Sequence, residues 1–286
     1  MTAILLALVA AVGYGVSDFV GGLASRRVAA LRVVIVSYPI SLLIALAVAP
    51  LFGGTLTSST ALWGAASGIA GGIAVWWFYL ALADGPMSVV SPLTAVLVAG
   101  IPVLVGLLIG ERPGALALAG VALALVAVVL VSRETPESAG EAVDGHPARF
   151  TPAVAWLTVG SGIAFALAFV FLHQIGDESG LWPLVVSRAT ATVVVWAVAV
   201  GSRQFTRPPR DVVRLAVGIA LLDLVANGAM LYAFAGAMLS LVSVIGSLYP
   251  AATVLLAMTM LGERIGRLQQ VGMVLALAAV AMIAAA

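Results

Sequence analysis

Long apolar stretches separated by short polar breaks are the feature that most constrains how this chain can fold. There are about ten of them, and each has the roughly 20 residues that a helix needs to cross the hydrocarbon of a bilayer. Only 9% of the 286 residues are charged, whereas soluble domains carry about 25%. Since no soluble fold of this size can bury so much apolar surface, the sequence indicates a polytopic membrane protein. The breaks include residues 25–27, 53–55, 84–86, 112–114 and 207–210.

An all-α membrane protein with ten transmembrane helices is therefore the predicted fold. A polar segment at 133–151, rich in Gly, Pro and Ala, separates two groups of five helices and is predicted to be a flexible linker. We expect it to join two self-contained units, residues 1–132 and 152–286. The predicted helices are 2–24, 31–52, 60–83, 87–109, 114–132, 152–174, 182–201, 211–234, 238–262 and 266–286.

The two halves resemble each other at an offset of 152 residues. Between 79–127 and 231–279, 17 of 49 positions are identical without a gap. A composition this biased gives about five identities by chance, so we interpret the match as an internal repeat. Since each repeat has an odd number of helices, the two must enter the membrane in opposite senses. Inverted repeats are typical of secondary transporters, whose substrate sites lie near the midplane between the halves.

A Gly-Glu-Arg motif ends the fourth predicted helix of each half. It reads Ile-Gly-Glu-Arg at 109–112 and Leu-Gly-Glu-Arg at 261–264, and each copy is followed by a fifth helix with a central glycine. The third helices end on similar segments, Tyr-Leu-Ala-Leu at 79–82 and Tyr-Ala-Phe-Ala at 232–235. We expect the charged residues of the motif to be structural, with the two glutamates capping helix ends or pairing at the membrane interface. These residues are Glu111, Arg112, Glu263 and Arg264.

With these motifs the chain resembles the EamA-like ten-helix members of the drug/metabolite transporter superfamily. The resemblance covers nearly the whole chain. It implies a carrier for small polar metabolites or amino-acid-like compounds, most often an exporter, with a central cavity between the repeats. It does not identify the substrate.

Asp223 lies near the middle of the predicted eighth helix, with Asn227 one turn later on the same face. A carboxylate in lipid costs at least about 2.5–3.5 kcal/mol, so Asp223 must face a cavity, find a partner or be protonated. In a cavity it is a candidate for exchanging a proton near neutral pH. A structural packing role is the alternative.

Arg188, in the predicted seventh helix, should lie at a depth similar to that of Asn227. Because arginine stays charged, it needs a counter-charge or an anionic ligand. One interpretation is a structural Arg188–Asp223 ion pair, and the other is capture of a substrate carboxylate. At an offset of 150, Arg188 aligns with Tyr38 of the first half, so we expect the cavity to be asymmetric.

Asp18 lies in the latter part of the first predicted helix, with Tyr14 one turn before it on the same face. As a functional pair they would belong to the substrate or proton site. The alternative is an interfacial Asp18 that pairs with Arg26 or Arg27.

Aromatic, small and proline residues add weaker signals. Trp77, Tyr79 and Tyr249 are candidate cavity aromatics, although those near the end of the third helix also fit an aromatic belt at the membrane interface. Glycines at 64, 68 and 72 repeat every four residues, the pattern of close helix packing. Prolines at 92, 102 and 250 are candidates for kinking or interrupting their helices around a cavity.

A secondary transporter of small molecules, with proton coupling as one option, is the function that these features favour. An intramembrane enzyme would need clustered catalytic groups, and a helical scaffold would not need charged residues at membrane depth. The chain has no cysteine and its two histidines lie in different segments, so we expect no metal and no cofactor. The expected partners are a small-molecule substrate and the lipid bilayer, not nucleic acid, and the sequence does not indicate an oligomeric state.

The arginines predict how the chain is oriented. Assigned to alternate sides of the membrane, eleven of the thirteen basic residues fall on one side and only Arg112 on the other, with Arg188 inside a helix. The positive-inside rule then places both termini outside and the 133–151 linker in the cytoplasm. All basic residues are arginine, and with the Ala, Val and Gly bias this favours the cytoplasmic membrane of a bacterium with a GC-rich genome.

Overall fold

A computed structural model describes residues 1–25, 28–84, 87–131, 151–206, 209–261 and 266–286. Within these ranges all regular secondary structure is helical. Helices suit such apolar segments because every backbone N–H and C=O is satisfied inside the segment, as a lipid environment requires.

The helices of the first half are α1 (Thr2–Ser25), α2 (Ala30–Val48), α3 (Ser58–Asp84), α4 (Met87–Leu108) and α5 (Ala115–Val131). A short 3-10 turn, Ala49–Phe52, extends α2. The second half has α6 (Pro152–His173), α7 (Trp182–Gly201), α8 (Arg210–Gly236), α9 (Leu239–Gly246), α10 (Tyr249–Leu261) and α11 (Arg267–Ala284). Another 3-10 turn, Asp177–Ser179, lies between α6 and α7.

The predicted ninth helix, 238–262, is not continuous. It is divided into α9 and α10 at Ser247 and Leu248. Pro250, in the first turn of α10, lacks the N–H that would continue the helical ladder, so an interruption just before it is expected on physical grounds. By length and composition, seven helices in the described ranges can span a membrane, with shorter apolar stretches at Leu93–Leu108, Ala115–Leu130 and Leu239–Ala252. Ten spanning helices are therefore not confirmed within the described ranges.

The two halves interleave along most of their length. The most extensive helix contacts join α1 to α8, α3 to α6 and α7, and α5 to α11, and each of these crosses from one half to the other. Neighbouring helices within one half touch far less. Each half therefore buries much of its helix surface against the other half.

Small residues let α3 and α7 approach closely. Gly64 lies against Pro183, Gly68 against Ser187 and Thr190, and Gly72 against Val194. A side chain at Gly68 would overlap the backbone of α7. The predicted close packing of this glycine face is thus confirmed, and its partner is a helix of the other half.

Contacts along these helices also give their relative directions. Since α3 meets α7 in ascending order at residues 64, 68 and 72, the two run parallel. Helix α3 runs antiparallel to α6. Near the start of α3, Trp63 stacks on Phe171 and the Ser67 hydroxyl donates to the Ala168 carbonyl (3.0 Å). Farther along α3, Trp77 lies near Gly160, which comes earlier in α6. Two repeats of opposite orientation require such directions.

The loops 53–57 and 176–180 meet at one end of the bundle, which we call the termini end because α1 begins and α11 ends there. The Thr55 amide donates to the Glu178 carbonyl (3.1 Å), and the hydroxyls of Thr60 and Ser179 are 2.6 Å apart. Gly54 and Gly180 touch through their backbones, and both have positive φ angles, +83° and +54°, that favour glycine. The two halves are therefore joined directly at this end.

The first copy of the Gly-Glu-Arg motif forms a second junction at the termini end. Gly110 has a φ of +100°, and the Glu111 amide donates to the Gly106 carbonyl (2.9 Å), so the chain turns back at the end of α4. The Glu111 carboxylate then accepts hydrogen bonds from the amides of Leu239 (2.5 Å) and Ser240 (3.1 Å) at the start of α9.

Of the two roles expected of Glu111, helix capping and interfacial pairing, this contact is a helix cap. A carboxylate at a helix N-terminus satisfies unpaired N–H groups and interacts favourably with the helix dipole. The capped helix belongs to the other half. Arg112 is exposed and donates to the Glu111 carbonyl (3.1 Å). Glu263 and Arg264 lie outside the described residues.

Candidate functional site

A central cavity of about 150 Å³ lies between the two halves. Its described lining comes from α1, α2, α3 and α4 of the first half and from α6, α7, α8 and α10 of the second. Pockets for drug-sized ligands have volumes of about 300–1,000 Å³, so the cavity in this conformation suits a smaller molecule. Six residues singled out from the sequence line it together: Tyr14, Asp18, Arg188, Asp223, Asn227 and Tyr249.

An ion pair crosses the cavity wall between α7 and α8. The Arg188 Nη1 atom lies 2.8 Å from the Asp223 Oδ2 atom, and the side chains are only 7% and 23% exposed. The Asn227 amide nitrogen donates to the other carboxylate oxygen, Oδ1 (3.1 Å), and to the Asp223 carbonyl (2.8 Å). Both oxygens of Asp223 therefore have partners. Of the two interpretations of Arg188, the ion pair with Asp223 is the one that this structure contains.

Tyr38 completes the surroundings of the guanidinium. The Arg188 Cζ atom lies 5.4 Å from the centroid of the Tyr38 ring, within the range of a cation–π contact. The two positions that aligned between the repeats thus meet in the cavity. The Arg188 Nε atom is buried and has no hydrogen-bond partner among the described residues.

Asp18 lines the cavity from α1 and is partly buried. It forms no ion pair or hydrogen bond with any residue that the structure describes, and it interacts electrostatically with Asp223. Arg26 and Arg27, its alternative partners in the sequence analysis, lie outside the described residues. The Tyr14 hydroxyl, one turn earlier, is buried and without a partner in the same described part.

Aromatic rings cover much of the rest of the wall. Tyr249, at the start of α10, lines the cavity as a predicted candidate, because the break before α10 brings this residue to the middle of the bundle. Trp77 is not among the described lining residues, and its ring lies against Gly160 of α6. The Tyr79 side chain lies outside the described part of the chain. Sequence reasoning missed three rings of the wall: Phe78, Phe165 and Phe169.

These phenylalanines were missed for a physical reason. Phe78 and Phe165 pack edge to face at 6.0 Å across α3 and α6, and Phe169 lies 6.3 Å from Tyr14. In a membrane protein the face toward lipid and the face toward the interior are both apolar, so hydrophobic periodicity does not separate them. Charged residues can be found from sequence because they are rare in such helices.

The EamA-like transporter family matches residues 1–133 and 152–285, nearly the whole chain. The chain belongs to the EamA-like transporter family. Members of this family are membrane transporters rather than enzymes, which fits the apolar helices and the central cavity of this EamA-like protein.

No curated protein matches the EamA-like chain. Among the solved structures that match, one crystal structure of a protein superimposes with a TM-score of 0.75, covering 98% of this chain and 95% of the other at 16% sequence identity. At that identity the likeness shows a shared fold only.

Proposed function

We propose that this EamA-like protein is a secondary transporter that exports small polar metabolites or amino-acid-like compounds by alternating access. The cavity carries the proposal, because it is lined by both halves and holds ionisable side chains at membrane depth. Sites of this kind between inverted repeats are typical of secondary transporters. In this proposal residues 1–132 and 152–286 are the two repeats, in the cytoplasmic membrane of a bacterium.

The proposed substrate or proton site consists of Tyr14, Asp18, Arg188, Asp223 and Asn227. These residues come from α1, α7 and α8, so both repeats supply polar groups to one cavity of about 150 Å³. A relative movement of the repeats would change access to all of them at once. The ion pair fixes α7 to α8 within the second repeat, whereas Asp18 belongs to the first.

The termini end would open during the transport cycle. In this conformation the loops 53–57 and 176–180 are joined there, and Glu111 holds the start of α9. Alternating access requires the loop contact to separate and re-form. The arginine distribution predicts that this end faces outside.

The alternatives receive less support. A helical scaffold has no need for a polar cavity, and burying an ion pair without a function is costly. Catalysis needs a nucleophile or a free acid–base pair, whereas two of the three charged side chains in the described lining neutralise each other. Among the described residues no group of three or more His, Cys, Asp or Glu residues could hold a metal ion.

Filling the cavity tests the proposal. Gly71 lines the cavity, and a Cβ added there meets no atom within 4 Å, so Gly71→Leu should fill space without disturbing the fold. Gly218→Leu is a matched control, since Gly218 is also helical with open space around it but is not part of the described lining. Cells that overproduce the protein should export or resist metabolites in a resistance and efflux screen. Gly71→Leu should abolish that gain and Gly218→Leu should keep it, whereas equal export by both variants would contradict the proposed route.

A further inference from the structure

Asp18 has no opposite charge of its own among the residues that the structure describes. Arg188 and Asp223 neutralise each other, so Asp18, when ionised, leaves the described lining with one net negative charge. We propose that Asp18 binds the positively charged group of the transported molecule, which is a small organic ammonium ion. This assignment rests on the proposed transport function and specifies its substrate class.

The ion pair makes Asp223 a poor counter-charge for a substrate. One of its oxygens contacts Arg188 at 2.8 Å and the other accepts from Asn227 at 3.1 Å. A cation would have to displace the guanidinium and leave a buried arginine unpaired, which is strongly unfavourable. Asp18 requires no such displacement.

The surroundings of Asp18 suit an ammonium group. The Tyr14 hydroxyl, one helical turn away and buried without a partner within the described ranges, has an oxygen that can accept an N–H. The wall also presents the rings of Tyr38, Phe169 and Tyr249, and aromatic faces attract cations that have been stripped of water. Arg188 already uses the Tyr38 ring in this way, at 5.4 Å.

Net charge distinguishes an ammonium ion from other small molecules. A buried carboxylate without a counter-charge is costly, and a monovalent cation removes that cost. A zwitterion leaves the lining with its negative charge, and an anion doubles it. Since the rest of the wall is largely aromatic and aliphatic, the preferred molecule has one amine and a compact apolar body.

Four probes with the same ring separate charge from shape: 2-phenylethylammonium, 2-phenylethanol, phenylacetate and phenylalanine. Binding to the purified protein in detergent is measured by calorimetry near neutral pH. We expect the ammonium ion to bind at least about tenfold more tightly than the alcohol, a difference of about 1.4 kcal/mol. It should also bind more tightly than phenylalanine, and phenylacetate should bind most weakly. Preference for the zwitterion or the anion would overturn the proposal.

Variants of Asp18 identify the group responsible. Asp18→Asn should weaken ammonium binding about tenfold and change alcohol binding little, which also reports that the cavity remains intact. Asp18→Glu keeps the charge and should retain the preference for the ammonium ion even if Asp18→Asn folds poorly. Asp211→Asn removes an exposed carboxylate in the first turn of α8, outside the described cavity lining, and should bind like the original protein. Unchanged ammonium binding in Asp18→Asn would exclude this role.

Flux into liposomes separates this inference from the proposed function. Binding in the expected order with loss in Asp18→Asn supports the role of Asp18, whether or not flux follows. Absence of flux for every probe would contradict transport while leaving that assignment in place. Flux of probes without a preference for the ammonium ion would support transport and overturn the role of Asp18.

Discussion

Arg188 and Asp223 form a 2.8 Å ion pair between α7 and α8, inside the cavity that the two halves share. The pair satisfies two charges that would otherwise be unpaired at membrane depth, and Asn227 satisfies the second oxygen of the carboxylate. The sequence predicted both residues as site candidates and left open whether they pair or bind a substrate. Because these two side chains pair with each other, Asp18 is the charged residue of the described lining that is left to bind a substrate.

Replacing one partner of the ion pair should destabilise the protein more than replacing both. Arg188→Met or Asp223→Leu alone leaves a buried charge without a partner, and such losses cost about 3–5 kcal/mol. The double variant replaces both charges by apolar groups and should recover most of that loss. Thermal unfolding in detergent measures the three variants. A double variant no more stable than the single ones would show that the pair does not couple the two side chains.

Acid should weaken ammonium binding through Asp18. Protonation removes the negative charge of this carboxylate, so affinity for 2-phenylethylammonium should fall as pH decreases and should be nearly independent of pH in Asp18→Asn. The charged and titratable groups around Asp18 in the described lining are Tyr14, Tyr38, Arg188, Asp223 and Tyr249. Calorimetric titrations across pH 5–8 measure the effect. The sequence-based prediction is instead that Asp223 exchanges a proton during transport. It requires that Asp223→Asn abolish the pH dependence of transport.

Removing the Glu111 carboxylate should weaken the junction between the halves at the termini end. Glu111→Ala leaves the amides of Leu239 and Ser240 uncapped, and a lost helix cap costs about 0.5–2 kcal/mol. Arg112→Ala changes the neighbouring, exposed residue of the same motif and should have little effect. The comparison uses thermal unfolding in detergent. Equal destabilisation by both variants would mean that the cap is not the source of the effect.

Cutting the chain between the halves should not separate them. Because the major helix contacts join one half to the other, proteolysis within 134–148 should leave two fragments that purify together in mild detergent. Size-exclusion chromatography followed by denaturing electrophoresis detects both fragments. Fragments that elute separately would contradict the interleaved packing.

Much of the fold could be predicted because lipid leaves few options. Apolar runs predicted the helices close to their observed ends, and the glycines at 64, 68 and 72 predicted close packing. The break at Ser247 was not located, because Pro250 is tolerated in many helices and only neighbouring contacts decide whether it interrupts one. The interleaving of the halves was missed because a repeat in sequence does not say which surfaces it buries.

The residues of the candidate site could also be predicted only in part from the sequence. Asp18, Arg188 and Asp223 could be found because charge at membrane depth is costly, and Tyr14 and Asn227 because they lie one turn from a carboxylate. Phe78 and Phe165 could not be found, since an aromatic residue on a membrane helix suits lipid and cavity equally. The Arg188–Asp223 contact depends on how α7 and α8 are placed relative to each other. The sequence predicted only the approximate depth of each residue in the membrane.

Alternating access between the halves is the central claim, and a reversible cross-link at the termini end tests it most directly. The chain has no cysteine, and the hydroxyls of Thr60 and Ser179 are 2.6 Å apart, so Thr60→Cys with Ser179→Cys places two thiols close together. Each single cysteine variant is the control. We expect oxidation to stop transport in liposomes only in the double variant, and reduction to restore it. Full transport by the cross-linked protein would contradict alternating access through this end.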